Sequence, residues 1–424
     1  MSRSELDAAP GAVDLAVIGA GAAGLMAAIW AGRSVAGRTI VVLDSAVKPG
    51  AKILIAGGGR CNVTHDVVDE TAFAGSSRPA IRKVLRRFSV PQTIAFFREI
   101  GVRLKREETG KLFPTTDSGR TVLNALLAAA GEAGVLVRHP CRVEAIVPEG
   151  DAFLVVGPST GAARWGHLRA KHVILATGGR SLPKSGSDGH GFAIAESLGH
   201  SLTPRIFPAL VPLTLPPTTF IPALSGVSAN ATVRVRAASG GKTVAFTDSL
   251  LCAHFGVTGP AVLDLSRYYI DAVLRDGSAR LEVNWLPGAT RETFDEQLRR
   301  LKQRTPAAVL GERLPDRLSR ALCAQAGVDP SVPGHRLPKD QRRRLSSLVT
   351  GMELPITGHR GYTHAEVTAG GVPLGEIHLD SMRSRVRPGL SLCGEICDVD
   401  GRIGGFNFQW AWASGYVAGV GIGR

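Results

Sequence analysis

The residues most able to do chemistry stand near the start of the chain, as Gly19-Ala20-Gly21-Ala22-Ala23-Gly24. Glycines at this spacing hold a phosphate linkage without a charged side chain. Gly19 permits a tight turn, Gly21 lets backbone N–H groups approach a pyrophosphate, and Gly24 lets the following helix lie close to a strand. Asp44 follows twenty residues after Gly24, where a carboxylate accepts hydrogen bonds from a ribose diol. The pattern has force only if a strand precedes it and a helix follows. Val13 to Ile18 is an apolar run of strand length, Leu25 to Ala31 continues as a helix of small residues, and Thr39 to Leu43 reads as a second buried strand. A nucleotide is expected on this turn.

Further glycines lie far downstream. Val173 to Ala176 is a short strand closed by Thr177-Gly178-Gly179, which lets the chain pass close to a nucleotide held at the first turn. Leu390 to Cys393 is another strand, followed by Gly394-Glu395, Asp398 and the run Gly404-Gly405-Phe406-Asn407-Phe408-Gln409. That run leads into a helix whose N-terminal amides suit the negative charge of a reduced flavin ring. Signals at both ends of the chain point to a long cofactor lying across a discontinuous domain, FAD rather than NAD. Glu395 and Asp398 read as ligands of ribityl or ribose hydroxyls rather than as proton carriers. No second strand-GxGxxG-helix unit occurs. NAD(P)H therefore docks transiently in the open cleft, or the substrate itself reduces the flavin and oxygen reoxidises it.

Two residues are catalytic candidates. Arg60, beside a glycine triplet, is placed to stabilise anionic flavin or to grip an acidic substrate group. His254, in a Gly-rich turn, is a candidate general acid or substrate ligand, against a hydrogen-bonded structural role. Cys61 has no partner in a CxxC pattern and reads as a buried structural thiol. Cys393 and Cys397 are joined by no His or Cys set, so no metal site is expected.

These residues need a large scaffold. A chain of 424 residues exceeds one ordinary core and predicts two or three domains, and 44% hydrophobic with 20% charged residues describes a globular protein. The formal charge of +14 permits a nucleic-acid partner. Yet the basic residues are 40 Arg and 10 Lys in a chain rich in Ala and Gly, and the tight run Arg342 to Arg344 carries no interleaved aromatics. A solvated helix face is the favoured reading, and nucleic acid is not the expected partner. Two uncharged windows, Leu15 to Gly32 and Ile403 to Gly423, carry too many glycines and amides for membrane helices. Glu5, Asp7 and Asp14 argue against a signal peptide, and six scattered cysteines point to a reducing cytoplasm. From Phe207 the chain turns Pro-rich. Strands are expected at Thr232 to Arg236, at Thr243 to Thr247 after Gly240-Gly241, and at Leu281 to Trp285. Helices follow around Phe294, Leu298 and Leu301, then at Asp316 to Ala326 and Lys339 to Thr350, and strands resume near Gly361.

Over nearly its whole length, to Ala418, the chain resembles the HI0933-like flavoprotein family. The most specific marker is Gly57-Gly58-Gly59-Arg60-Cys61-Asn62-Val63-Thr64. Supporting it are Gly186-Ser187-Asp188-Gly189 with Gly191, His254-Phe255-Gly256-Val257-Thr258-Gly259-Pro260, Thr368-Ala369-Gly370-Gly371-Val372, and Gly394 through Gln409. The resemblance implies an α/β protein with a discontinuous Rossmann-like FAD-binding domain over 1–206 and 355–424. A β-rich, barrel-like domain over 207–287 and a small helical domain over 288–354 would be inserted in it. It implies FAD held by Gly19 to Gly24, Asp44, Ser45, Lys52, Gly57 to Asn62, Val143, Ala176, Thr177, Gly178, Gly394, Glu395, Asp398 and Gly404 to Phe408. It also implies that His254 faces the flavin. The chain departs from the family pattern at Ala56 (usually Ser), Cys252-Ala253 (usually Phe-Thr), and Phe406 and Phe408 (usually Tyr and Leu). The two-ended flavin signature predicts hydride transfer between FAD and a small organic substrate. A flavoenzyme acting on RNA and a flavin-binding redox sensor without turnover stand as alternatives.

Overall fold

The computed structural model describes residues 11–158, 165–237 and 243–423. They fall into two compact units, Met1–Phe207 with Val367–Arg424, and Pro208–Glu366.

The first unit is built on five parallel strands. In chain order its central elements are β1 (Ala12–Ile18), α1 (Ala22–Ser34), β2 (Ile40–Leu43), β3 (Val135–Arg138), β4 (His167–Leu175), β5 (Leu390–Leu392) and α2 (Phe406–Gly421). The strands lie side by side as β5-β4-β1-β2-β3, with Ala16 aligned to Val41 and to Val173, and Val173 to Leu390. Short antiparallel strands at Ile377–His378 and Arg383–Ser384 extend the β5 edge, and the meander Ala145–Glu149 and Ala152–Val156 pairs with the first half of β4. Every residue of β2 is buried, and β1 and β4 end in fully buried runs. Continuous aliphatic stretches are what a parallel sheet covered on both faces demands. The order reverses about β1, and such a switch point opens a crevice at the strands' carboxyl ends.

Helix α2 lies on α1 at close range. A Cβ added at Gly415 would sit 2.5 Å from the Ala23 carbonyl oxygen, and one at Gly419 would sit 2.3 Å from that of Ala27. The uncharged windows are thus a strand-turn-helix and a buried helix, and no helix among the described residues is long and apolar enough to cross a membrane.

The second unit carries a seven-stranded antiparallel sheet. Ser228–Ala237 pairs with Val244–Ala253 as expected, with Val233 opposite Phe246, while Gly240 and Gly241 lie outside the described residues. One element was not foreseen. Pro260–Asp276 is a helix of 17 residues inside the segment read as β-rich. Pro260 opens it, where a missing N–H costs nothing, and Gly277 stops it at φ 76°. The later helices form at Arg291–Arg299, Asp316–Gln325 and Lys339–Gly351. They share one hydrophobic cluster with the sheet, in which Val233, Leu265, Trp285, Leu298, Leu322 and Leu345 are all buried. The unit closes at Glu366, beyond the expected boundary at 354, because the returning chain still pairs with it. Leu354 aligns with Leu281, and His359 with Leu213.

Candidate dinucleotide site

The glycine turn has the geometry its sequence implies. Gly19 adopts φ 107°, and a Cβ there would lie 2.4 Å from the Ala176 carbonyl oxygen; one at Gly24 would lie 1.8 Å from that of Gly19. Helix α1 therefore begins hard against the end of the sheet. At Gly21 a Cβ would meet nothing within 4 Å, and α1 has neither a side-chain cap nor an acidic residue in its first turn. Its leading N–H groups are left to a ligand, and the positive end of its dipole is not neutralised.

Asp44 is fixed by the same turn. One carboxylate oxygen accepts the Ala20 N–H at 2.6 Å and the other accepts that of Ala46 at 2.8 Å, which leaves each a further lone pair. Burial holds its pKa above the usual carboxylate range, against the pull of the Ala46 and Ala20 amides. The Cys141 N–H donates to the Asp44 carbonyl at 2.6 Å and so ties the segment carrying buried Val143 to the end of β2. Ser45 faces Gly186, whose Cβ would stand 3.1 Å from its hydroxyl. After Ala176 the chain turns at Gly178 (φ 74°), where a Cβ would lie 2.7 Å from Ser187 Oγ; one at Gly191 would lie 1.9 Å from Thr177 Oγ1. Both hydroxyls are buried, and neither has a hydrogen-bond partner among the described residues.

A second group of residues gathers around the glycine triplet. Gly57, Gly58, Gly59 and Cys61 all have positive φ, at 58°, 70°, 88° and 61°. The loop is pinned by Gly59 N–H to Ile55 O, Cys61 N–H to Ala56 O and Gly119 N–H to Gly59 O. Cys61 is fully buried, and burial pushes its thiol up to about 12, which suits the structural role expected of it. Asn62 is buried, and its side-chain oxygen has no hydrogen-bond partner among the described residues. Arg60 stacks over Phe113 at 4.0 Å, and its guanidinium lies 2.6 Å from Glu107 and 3.7 Å from Asp117. Its charge is already matched, so the side chain clamps the loop.

The remaining candidates are C-terminal. Gly394 (φ 79°) packs on Ala23, donates its N–H to Ser414 Oγ at 2.9 Å and accepts the Trp410 indole N–H at 3.0 Å. Glu395 makes an ion pair with Lys52 at 2.7 Å and accepts the Thr368 N–H at 3.0 Å, joining the Gly394 turn to the helix that leads into the triplet. Asp398 accepts from Ser76 Oγ at 3.2 Å, and the Asn407 amide exchanges two hydrogen bonds with the Gly401 backbone. Gly404 and Gly405 (φ 122° and 96°) open α2, and a Cβ at Gly405 would collide with the Thr64 backbone. Phe406 stacks on His65 and Phe408 on Trp412.

The candidates therefore separate by what their polar atoms already do. Arg60, Glu395, Asp398 and Asn407 are engaged within the protein, whereas Gly21, Asp44, Asn62 and Thr177 keep capacity for a ligand. Ser187 joins that second set and was not among the expected site residues, although it stands in a motif carrying the family resemblance. Thr368 was also missed: its hydroxyl accepts the Arg180 and Ser181 N–H groups and holds the Gly178-Gly179 turn. His254 belongs to the second unit, exposed at the two-residue tip between Val244–Ala253 and Gly256–Thr258, with its ring 5.1 Å from that of Phe255.

A glycine turn at the sheet's switch point, an acid held at the end of the next strand and a C-terminal helix brought back onto α1 define a Rossmann-type dinucleotide-binding oxidoreductase. Within that class the chain belongs to the HI0933-like family: it matches the HI0933-like protein Rossmann domain over residues 13–421. It is 33% identical to a 3-dehydro-bile acid delta(4,6)-reductase of Clostridium scindens, over 96% of this chain and 98% of that one. It is also 33% identical to ribosomal RNA dihydrouridine synthases of Escherichia coli (95% and 96% covered) and Haemophilus influenzae (96% and 98%). Among solved structures the fold is shared with an E. coli quinol fumarate reductase (16% identity, TM-score 0.53, covering 97% of this chain and 70% of that one) and a 3-ketosteroid delta1-dehydrogenase from Sterolibacterium denitrificans (14%, 0.53, 98% and 100%). The chain is an FAD-dependent oxidoreductase. Its residues fit the cofactor. The uncapped helix end at Gly21 suits the pyrophosphate, and Asp44 with the unpartnered Thr177 and Ser187 hydroxyls suits the polar adenosine half.

Proposed function

We propose that this enzyme saturates a carbon–carbon double bond conjugated to a carbonyl, and that the double bond belongs to uracil in RNA. The observation that carries the reading is the equal, chain-long likeness to a delta(4,6)-reductase and to dihydrouridine synthases. Both names describe the same change, two hydrogens added across a double bond. FAD, when bound and reduced, supplies the hydride, with NAD(P)H as its donor; the chain supplies the substrate's grip and a proton for the neighbouring carbon. The formal charge of +14 favours RNA, since a steroid-like substrate has no use for it. The charge thus carries more weight beside these relatives than it does in the composition alone. Reduction of a small organic enone, which falls within the small organic substrates expected from the sequence, is the second reading, favoured by the bile-acid relative.

In this reading Gly19 to Gly24, Asp44, Thr177 and Ser187 hold the adenosine diphosphate half of FAD. Asn62, the Gly57 to Gly59 loop and the N-terminus of α2 hold the ring half. Six free, buried cysteines accord with a reducing cytoplasm.

The test is anaerobic. The purified yellow protein is reduced with NADH or NADPH and offered, in separate vessels, unmodified ribosomal RNA transcribed in vitro and a 4-en-3-one steroid. Flavin reoxidation with dihydrouridine in the digested RNA is the expected result. Reoxidation by the steroid alone transfers the assignment to the small enone, and no turnover with either leaves a redox sensor.

A further inference from the structure

The basic run Arg342 to Arg344, unremarkable in sequence, is not isolated in the second unit. The segment 299–304 carries Arg299, Arg300, Lys302 and Arg304, and it lies against the turn at 334–336. Gly334 N–H donates to Arg304 O at 2.9 Å and His335 N–H to Lys302 O at 3.2 Å, while the His335 Nδ1 lies 2.8 Å from that same Lys302 oxygen. A Cβ at Gly334 would stand 2.1 Å from Leu301 Cβ, so the two stretches touch without space between them. Arg336 and Lys339 follow at once, and Lys339 and Arg343 stand one turn apart on the helix Lys339–Gly351. Arg342 fastens that helix to Arg291–Arg299 through Asp295 at 2.8 Å. Two basic stretches more than thirty residues apart in sequence thereby become one surface.

Its charges are unevenly spent. Arg299 and Arg300 share Glu296, and Arg304 pairs with Glu312. Among the described residues Lys302, Arg336, Lys339 and Arg343 are exposed and make no ion pair. Asp340, beside Lys339, is the one acid within the two stretches. The cluster has no buried polar group around which a small anion could be enclosed. Several cations spread along two adjoining stretches instead match a polymer with a phosphate at every step.

We propose that this surface docks the phosphate backbone of folded RNA and holds it while a base elsewhere on the same RNA reacts. The inference rests on the RNA reading above and adds the place where the polymer is gripped. Phosphate contacts position a nucleic acid without reading its sequence, and binding energy from parts of a substrate that do not react can orient the part that does.

The test compares the FAD-loaded wild type with the K302Q/R336Q/K339Q/R343Q variant, using unmodified ribosomal RNA transcribed in vitro as the probe over a series of salt concentrations. A control variant, R78Q/K83Q/R86Q/R98Q, removes the same charge from exposed positions of the first unit. The patch variant is expected to bind RNA roughly tenfold or more weakly at about 0.1 M salt, with a salt slope shallower by about 2 to 4, while the control changes both much less. Flavin absorbance, melting temperature and NAD(P)H oxidation with oxygen as acceptor should stay at wild-type values in the patch variant. Equal losses in both variants, an unchanged slope in the patch variant, or failure of the wild type to bind RNA at low salt overturns the docking surface. So does patch-dependent binding to phosphatidylglycerol vesicles without RNA binding. If RNA binds through the patch and no dihydrouridine forms, docking stands and the proposed reaction falls. If dihydrouridine forms and the slope does not move, the reaction stands and the patch falls.

Discussion

Asp44 shows how one side chain can favour opposite outcomes for the empty and the loaded protein. Its carboxylate is oriented by two backbone amides and kept partly out of water. D44A should weaken FAD binding by about ten- to a hundredfold, since hydrogen bonds to a charged group are worth roughly 1.5–3 kcal/mol; titration of the apo-protein with FAD, followed by flavin fluorescence, measures it. Because burial holds the pKa above the ordinary aspartate value, FAD should begin to dissociate at a less acidic pH than an exposed aspartate would permit. The apo-protein should behave in the other sense. A carboxyl whose pKa is higher folded than unfolded weakens the fold once ionised, so acidification through that raised pKa should strengthen the apo form while FAD is being lost. Flavin release and apo melting temperature recorded over about pH 4–7 separate the two. Cys61 makes a simpler case. A buried thiol at about 12 is almost never a thiolate at neutral pH, so iodoacetamide should label it only after unfolding, and C61A should retain FAD and turnover. Labelling of the native protein at Cys61 would contradict this.

At the level of elements, legibility followed the range of the interaction. The turn at Gly19 to Gly24 and the strands beside it could be read because each requirement is local: a left-handed glycine, an aliphatic run, an acid at the next strand's end. The helix Pro260–Asp276 was not foreseen because its whole segment was read as β-rich, although Pro260 occupies the helical position that tolerates proline best. The Lys52–Glu395 ion pair had no signal at all, its partners being 343 residues apart. Ser187 gives an intermediate example. Its motif was visible, but that its hydroxyl would be buried and unpartnered depends on Gly178 coming to rest against it. The α1–α2 contact yields a prediction of its own. Gly415 and Gly419 let the helix backbones meet, so G415V or G419V should destabilise the first unit by about 1–3 kcal/mol through overpacking. Chemical denaturation of the holo-protein checks this, and a shift smaller than about 0.5 kcal/mol would show that the helices can part at little expense.

For the molecule as a whole, two units with separate hydrophobic clusters should melt as two transitions. The candidate dinucleotide residues all lie in the first unit, so saturating FAD should raise one transition and leave the other in place. At a hundred times the Kd the gain is about 2.7 kcal/mol. Calorimetry of apo- and holo-protein reads this directly, and a single transition moved bodily by FAD would mean that the units unfold together.

The position of the second unit within the chain also affects the order of manufacture. Strands β4 and β5 are neighbours in the sheet, yet the ribosome finishes β4 and must make the entire insertion before β5 and α2 exist. At about 5–20 residues per second the stretch from β4 to the end of α2 takes on the order of ten to fifty seconds. Throughout that interval the face of α1 that α2 will cover, including Ala23 and Ala27, has no cover. The nascent protein thus carries a sticky, largely apolar helix while the insertion is made, and the candidate cofactor cradle closes only once α2 has emerged. Flavin capture should therefore wait for the synthesis of α2, and a chain truncated shortly before α2 should be a client of chaperones rather than a weaker enzyme.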